Sequence, residues 1–414
     1  MFAENIQTAD VGLSRRYLEE YLAGCGYWAN PVRRERYNFV LSPSVYIASA
    51  KQEDQLERLA RATYMAVQAL NVRLCTIGTK KSLSHEESDF LQLGNKAARG
   101  LLKPRDNESR IPPMIKVDLV QDVHGNYKIA EVDTYNPRGF GFAAMLEESL
   151  EPALKLRRFP GMAQLCRILK TTGLSDYEPW FVLVSEFERF YEAPYELFSS
   201  SLGRRGIHMP SLPARQIANL FDGDSRDVSV GVFAIPDTLF DEKEVRELLL
   251  DKYRNKTLKS IYPPVAYLGS KAFLPYLRNF EGMHEFIPST VLLGRQSSRG
   301  IEGAEGSRFV LKATVSSGMK SVYFSDVDTE AYKENLEAAV QNKNPAWILQ
   351  EQVEQTPVPI VVFDDEGNRV TQHYYLRLTA YISANGIVDA EITGRPDRKV
   401  HGAPDCIQIP VVLS

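Results

Sequence analysis

Residues 116–139 read KVDLVQDVHGNYKIAEVDTYNPRG, with apolar and polar residues alternating on both sides of a glycine–asparagine pair. Alternation at period 2 marks two strands joined as a hairpin. A two-residue turn at Gly125 and Asn126 would set Asp118 against Asp133 and Val120 against Glu131. Opposed residues share a face, and so do residues two apart on one strand, so Asp118, Glu131 and Asp133 converge. Three carboxylates on one face repel one another unless something positive sits among them. Mg2+ takes oxygen ligands of this kind, together with water and substrate phosphates. The plainer alternative is a hairpin face solvated by water. Asn136, Pro137, Arg138 and Gly139 form a tight turn immediately afterwards, which puts Arg138 either against a substrate or in a surface turn beside Glu147 and Glu148.

The rest of the chain sets the frame. Its 414 residues exceed what one core organises, so two or three lobes are expected. A formal net charge of -4 excludes the broad basic footprint of a nucleic-acid or acidic-membrane binder, and any phosphate must be met by local cations. Cys25, Cys75, Cys166 and Cys406 lie far apart with no C-x-x-C pair, which predicts free thiols rather than a zinc site or a disulfide framework. The N-terminus has no basic-then-apolar leader, and no apolar run approaches the ~18 residues of a membrane helix, so a cytoplasmic protein is expected.

Residues 51–72 carry Leu56, Leu59, Ala60, Val67 and Leu70 at helical spacing, one apolar stripe interrupted by Thr63. Ser84 and Glu87 read as a capping box opening a second helix, making the first hundred residues mostly helical. From about residue 151, helix and strand alternate: WFVLVSEF and VSVGVFAI as buried strands, DEKEVRELLLDKY as a helix. Strands dominate again from about 263: SRFVLKATV, SVYFSD, AWILQEQV, PIVVFDD, YYLRLTAYI and GIVDAEIT.

Among these, SRFVLKATVSSGMKSVYF places Lys312 at the end of an apolar strand, then Ser316, Ser317 and Gly318, then Lys320 before the next strand. A strand, a small-residue loop and a strand with a lysine on each side can fold backbone amides over phosphates, or can be a plain hairpin. WILQEQVEQTPVP is a buried strand that ends in a polar, proline-bounded hinge.

In this order the segments resemble the glutathione synthetase and glutathionylspermidine synthetase branch of the ATP-grasp ligases. KVDLVQDVHGNYKIAEVDTYN resembles the branch's metal-binding strand, turn and strand, with Lys116 where the family tends to have arginine and Asp133 where it tends to have asparagine. YLGSKAFLPYL resembles the segment of a first ATP-contacting lysine, here Lys271, and FVLKATVSSGMKSV that of the second, Lys312, with its phosphate loop. WILQEQVEQTPVP resembles the adenine hinge, YYLRLTAYI a strand whose arginine, here Arg377, meets phosphates, and RKVHGAPDCIQIPVV the closing segment.

The resemblance implies an α+β chain of ATP-grasp fold, with two α+β lobes clasping ATP. Residues 1–150 would hold the helical N-terminal region and the metal hairpin, 151–262 a small inserted α/β lobe, and 263–414 the nucleotide-binding region. It implies ATP and Mg2+, with Asp118, Glu131 and Asp133 on the metal. Lys271, Lys312, Ser317, Gly318, Lys320, Gln350, Glu351 and Val353 would be on the nucleotide, and Arg377, Lys116 and Arg138 in the catalytic set. The implied reaction joins a carboxylate to an amine of amino-acid, peptide or polyamine type through an acyl phosphate, without nucleic acid or membrane. A homodimer stays open. The alternatives are an ATP-grasp phosphotransferase and a degenerate nucleotide-binding protein.

Overall fold

The computed structural model describes residues 5–8, 39–78, 111–134, 140, 143, 146, 157–171, 179–184, 192–221, 229–235, 243–263, 269–293, 308–314, 319–341, 347–364, 366–402 and 405–414. Their strands form three sheets in a mixed α+β chain. The first has eight strands: β1 (Ile6–Thr8), β2 (Ser44–Ala48), β3 (Ile115–Gln121), β4 (Tyr127–Asp133), β13 (Val358–Phe363), β14 (Arg369–Ser383), β15 (Gly386–Arg395) and β16 (Ile407–Leu413). They lie in the order β1-β2-β16-β15-β14-β3-β4, with β13 also paired to β14. A second, antiparallel sheet runs β11 (Val322–Phe324), β10 (Phe309–Ala313), β12 (Trp347–Glu351), β9 (Thr290–Leu293). The third is parallel: β6 (Ser211–Pro213), β5 (Trp180–Val184), β7 (Val230–Val232), β8 (Leu258–Ser260).

The expected first helix is α1, Ala50–Gly78, and its apolar stripe is buried: Leu56, Leu59, Ala60 and Val67 have no exposed surface. Thr63 is buried with them, its hydroxyl directed at the Met283 sulfur. This stripe shares a core with Leu376, Leu378, Ala380 and Ile382 of β14 and with Ile115, Val117 and Leu119 of β3. Period-2 geometry then sends Arg377, Thr379 and Tyr381, with Lys116 and Asp118, to the opposite face. That opposite face carries the site. β1 and β2 also lie within the first hundred residues, so this region is not helix alone, while the expected second helix at Ser84 and Glu87 lies outside the described residues.

The 151–262 stretch alternates as its sequence predicts: α2 (Gly161–Thr171), β5, α3 (Glu192–Arg204), β6, α4 (Gln216–Asn219), β7, α5 (Lys243–Arg254) and β8. α6 (Phe273–Leu277) then leads to the second sheet. The back of that sheet, through Leu311, Ala313, Trp347 and Leu349, packs on α7 (Thr329–Gln341). Its front therefore presents Val310, Lys312, Val322, Phe324 and Gln350, by alternation. Cys75, Cys166 and Cys406 are buried, and among the described residues they form no disulfide and no helix is long and apolar enough to cross a membrane.

Candidate active site

The hairpin differs from its sequence expectation in register and keeps its consequence. The turn is longer than two residues: Asp122 N–H donates to the Asn126 carbonyl, and Val123 to Gly125 form the loop. Gly125 sits at φ 82°, where a side chain would be strained, and Asp122 Oδ1 accepts from the His124 and Asn126 amides. From this turn Leu119 faces Ile129, but beyond Ala130 the pairing steps by one, so that Asp118 faces Glu131 and Lys116 faces Asp133. This β-bulge exchanges the faces of the strand. Ile129 and Val132 both enter the core, and Glu131 and Asp133 join Asp118 on the polar face. Without it, Glu131 would point inward with Ile129.

The expected repulsion among the carboxylates is answered by cations of the chain itself. Arg377 Nη1 lies 3.4 Å from Asp118 Oδ2, Lys271 Nζ 3.1 Å from Glu131 Oε1, and Lys116 Nζ 3.7 Å from Asp133 Oδ2. Thr379 Oγ1 donates to Asp118 Oδ1 at 2.9 Å. Burial acting alone would raise the Asp118 carboxyl, but Arg377, then Lys116, Thr379 and Lys271 outweigh it and hold the group below its ordinary value. Burial opposes the charges of Lys116 and Arg377 too, and the carboxylates around them prevail, raising both.

Lys312 is different. Its Nζ donates to the Ala130 carbonyl at 3.0 Å and to Gln350 Oε1 at 2.6 Å, and Gln350 Nε2 donates on to Thr290 Oγ1 at 3.1 Å. The carbonyl of the bulge residue thus anchors a lysine from the second sheet. Burial depresses Lys312 to about 8, Lys271 adds to the depression, and Glu131 and Asp118 oppose it. A buried ammonium held by neutral acceptors is poised for an anion.

These side chains line a cleft of about 740 Å³ between the first and second sheets, mouth included. Asp118, Glu131, Lys271, Lys312 and Arg377 form its charged end, and Gln350, Glu351 and Val353 line one edge. Lys116 and Asp133 sit beside it on the same sheet face without lining it, and Lys320 is exposed and outside it. Arg138, Ser317 and Gly318 lie outside the described residues.

The sequence reading missed the apolar wall of Val310, Val322, Phe324 and Met319, and also Arg398. Val310 was within reach, since it stands two residues before Lys312 on the same strand face. Arg398 lies in a connection with no periodic signal; its Nη1 donates to Asp326 Oδ2 at 2.7 Å, and Lys399 Nζ donates to Asp328 Oδ1 at 2.9 Å. Those bonds tie the β15–β16 connection to the β11–α7 turn beside the cleft.

The described residues contain no group of three acidic, histidine or cysteine side chains close enough to hold a metal. The expected three-carboxylate ligand set is therefore not assembled here. Asp118 and Glu131, cross-strand partners on the cleft wall, are two oxygen donors of the number Mg2+ usually takes from protein beside phosphates and water, while Asp133 turns to Lys116.

No protein-family model matches the chain, and no curated protein matches it. Among solved structures it is similar to a glutathione synthetase-like effector from Globodera pallida in its apo form, with TM-score 0.58, 12% identity, and 98% of each chain covered. D-cycloserine synthetase also matches, with TM-score 0.31 and 16% identity over 56% of this chain and 75% of that one, too low a score to support an argument. At 12% identity the first likeness speaks for the fold alone, which the chain shares with that effector.

Proposed function

We propose that the chain is an ATP-dependent carboxylate–amine ligase of ATP-grasp type, with ATP held between the first and second sheets. The observation that carries the proposal is the charged end of the cleft. Lys271, Lys312 and Arg377 converge there from three separate elements, next to the apolar slot of Val310, Val322 and Phe324 and the polar hinge at Gln350 to Val353. An aromatic base fits the slot and hinge, and a polyphosphate fits the cations.

On this reading a triphosphate exchanges partners with the chain. Its oxygens take Lys271 and Arg377 from Glu131 and Asp118, and the released carboxylates become available to a hard dication. Asp118 and Glu131 would hold Mg2+; what it supplies when bound is neutralisation of charge on the transferring phosphoryl group. Lys312, held by the Ala130 carbonyl and Gln350 Oε1, stays with the phosphates.

A substrate carboxylate oxygen bonds to the γ-phosphorus as the bridging bond to the β-phosphate breaks, giving an acyl phosphate and ADP. A neutral amine nitrogen then bonds to the acyl carbon, the carbon–oxygen bond to phosphate breaks, and the nitrogen loses its proton to solvent. The chain's part is to position the reactants and stabilise charge, so no protein nucleophile is needed.

The complete internal pairing of the three carboxylates favours a second reading, a nucleotide-binding protein without ligase activity. ADP and phosphate release with paired acids and amines separates the two. Amide formation with ADP and free phosphate supports ligation, a phosphorylated acceptor indicates a phosphotransferase, and nucleotide binding without turnover indicates the degenerate form.

A further inference from the structure

The polar face of the first sheet continues beyond the cleft into a place the nucleotide reading does not use. Across the ladder, Asp118 pairs with Thr379 and Thr379 with Glu391; one step along, Arg377 pairs with Thr393 and Thr393 with Gln408. Directly opposed residues share a face at Cβ separations of roughly 5 Å, so Arg377, Glu391, Thr393 and Gln408 form one patch over β14, β15 and β16.

All but Arg377 are almost wholly enclosed: Glu391 is 3% exposed, Thr393 1% and Gln408 6%. Yet among the described residues Glu391 Oε2, Thr393 Oγ1, Gln408 Oε1 and Arg377 Nε have no hydrogen-bond partner. The Tyr381 hydroxyl donates to Glu391 Oε1, which leaves the other oxygen directed away from it. An unmade hydrogen bond of a buried group costs about 1–3 kcal/mol. Four within one patch, three of them oxygens, is an arrangement that a ligand rich in N–H donors would complete.

Arg377 belongs to both places, its Nη1 on Asp118 at the cleft and its Nε toward the patch.

The geometry points to a primary-amine subsite formed by Glu391, Thr393 and Gln408, with Arg377 at its boundary with the cleft. Its ligand is a small molecule carrying an ammonium group, and a neighbouring carboxylate, where present, would face Arg377 Nε. Its role as the acceptor pocket rests on the ligase reading; its capacity to bind an amine does not.

The test follows thermal melting of wild type, Glu391→Gln, Thr393→Val and Gln408→Leu with ethylamine, glycine, L-alanine and putrescine. Acetate and propionate serve as amine-free counterparts, and every condition is run with and without Mg-ATP. At least one amine should raise the melting temperature of wild type where its amine-free counterpart does not. Its apparent affinity should fall about tenfold or more in Glu391→Gln, the scale of a lost charge-assisted hydrogen bond, and by less in the other two. The isosteric, neutral Glu391→Gln keeps the fold, and the stabilisation by Mg-ATP should be unchanged in it. Absence of any amine-specific shift in wild type, or equal shifts in wild type and all three variants, would overturn the subsite. Failure of Mg-ATP to stabilise wild type would overturn the ligase reading and not this one.

Discussion

Lys271 is 4% exposed, and its ion pair with Glu131 is what changes the expected behaviour of the opening motif. On the sequence alone, removing a carboxylate from a crowded face should be neutral or mildly stabilising. In the structure it takes the partner from a buried lysine, so Glu131→Ala should lower melting in the absence of metal and nucleotide. Because the Glu131 side chain is 32% exposed, the loss should be moderate, about 1–2 kcal/mol by denaturant unfolding. The identities of Asp118, Glu131, Lys271, Lys312 and Arg377 were legible in the sequence. Their pairing was not, because the partners lie up to 259 positions apart along the chain, as in Asp118 with Arg377.

Lys312 gives the pH prediction at this scale. Its folded value of about 8 lies below the ordinary 10.5, so the unfolded chain binds this proton more tightly. Its contribution to stability therefore rises as pH climbs from about 8 to 10.5. Polyphosphate binding favours the charged lysine and runs the other way. Calorimetric titration with Mg-ATP in buffers of different ionisation enthalpy should show proton uptake above about pH 8, and affinity falling with pH there. Affinity independent of pH between 8 and 10 would remove Lys312 from the phosphate site.

At the scale of elements, the bulge at Ala130 decides what the hairpin does. By taking up one extra residue it keeps Glu131 and Asp133 on the polar face and leaves a carbonyl for Lys312. Deleting Ala130 should make the ladder regular, with Ile129 and Val132 still inward and both acids still on the polar face, but it removes the carbonyl that holds Lys312. The hairpin should then persist while nucleotide binding weakens, whereas Ala130→Gly should keep the register and most of the binding. Circular dichroism melts of the two variants, with and without Mg-ATP, check this. Sequence alternation found both strands but not the bulge, because Ala130 is small enough to read as either face. The turn is longer than the sequence suggests for a related reason: Gly125 is legible, but the Asp122 side chain that closes a longer loop has no fixed spacing signature.

The elements also meet through Arg398 with Asp326 and Lys399 with Asp328. These pairs are partly exposed, so Asp326→Ala should cost no more than about 1 kcal/mol of global stability. Hydrogen exchange at residues 396–402 should nonetheless rise, because that connection loses one of its ties to the second sheet. Unchanged exchange there would show that the connection is held by its own hairpin.

Over the whole molecule, the three groups of strands read from the sequence are present, and their assembly is what sequence could not supply. β13 to β16 join β3 and β4 across more than 200 positions, and β2 lies parallel to β16. The consequence is a sheet with one apolar face on α1 and one polar face bearing the site. Burial raises Glu391 from 4.5 to about 8, against the pull of Arg377, Tyr381 and Lys116. Between those values the folded chain holds a proton that the unfolded chain has released, so stability should fall as pH rises from 4.5 to about 8. Glu391→Gln should flatten that slope, with the variant gaining on wild type toward pH 8, as melting curves across the range would register.

The central claim is that the cleft between the first two sheets holds ATP by Lys312. Thermal melting of wild type, Lys312→Met and Lys320→Ala with and without Mg-ATP addresses it directly. Lys312→Met removes a charge that burial already disfavours, so the free fold should persist. Adding Mg-ATP should clearly raise the melting temperature of wild type and of Lys320→Ala, and not that of Lys312→Met. A wild type that melts at the same temperature with and without Mg-ATP, or a Lys312→Met protein that gains as much as wild type, would contradict it.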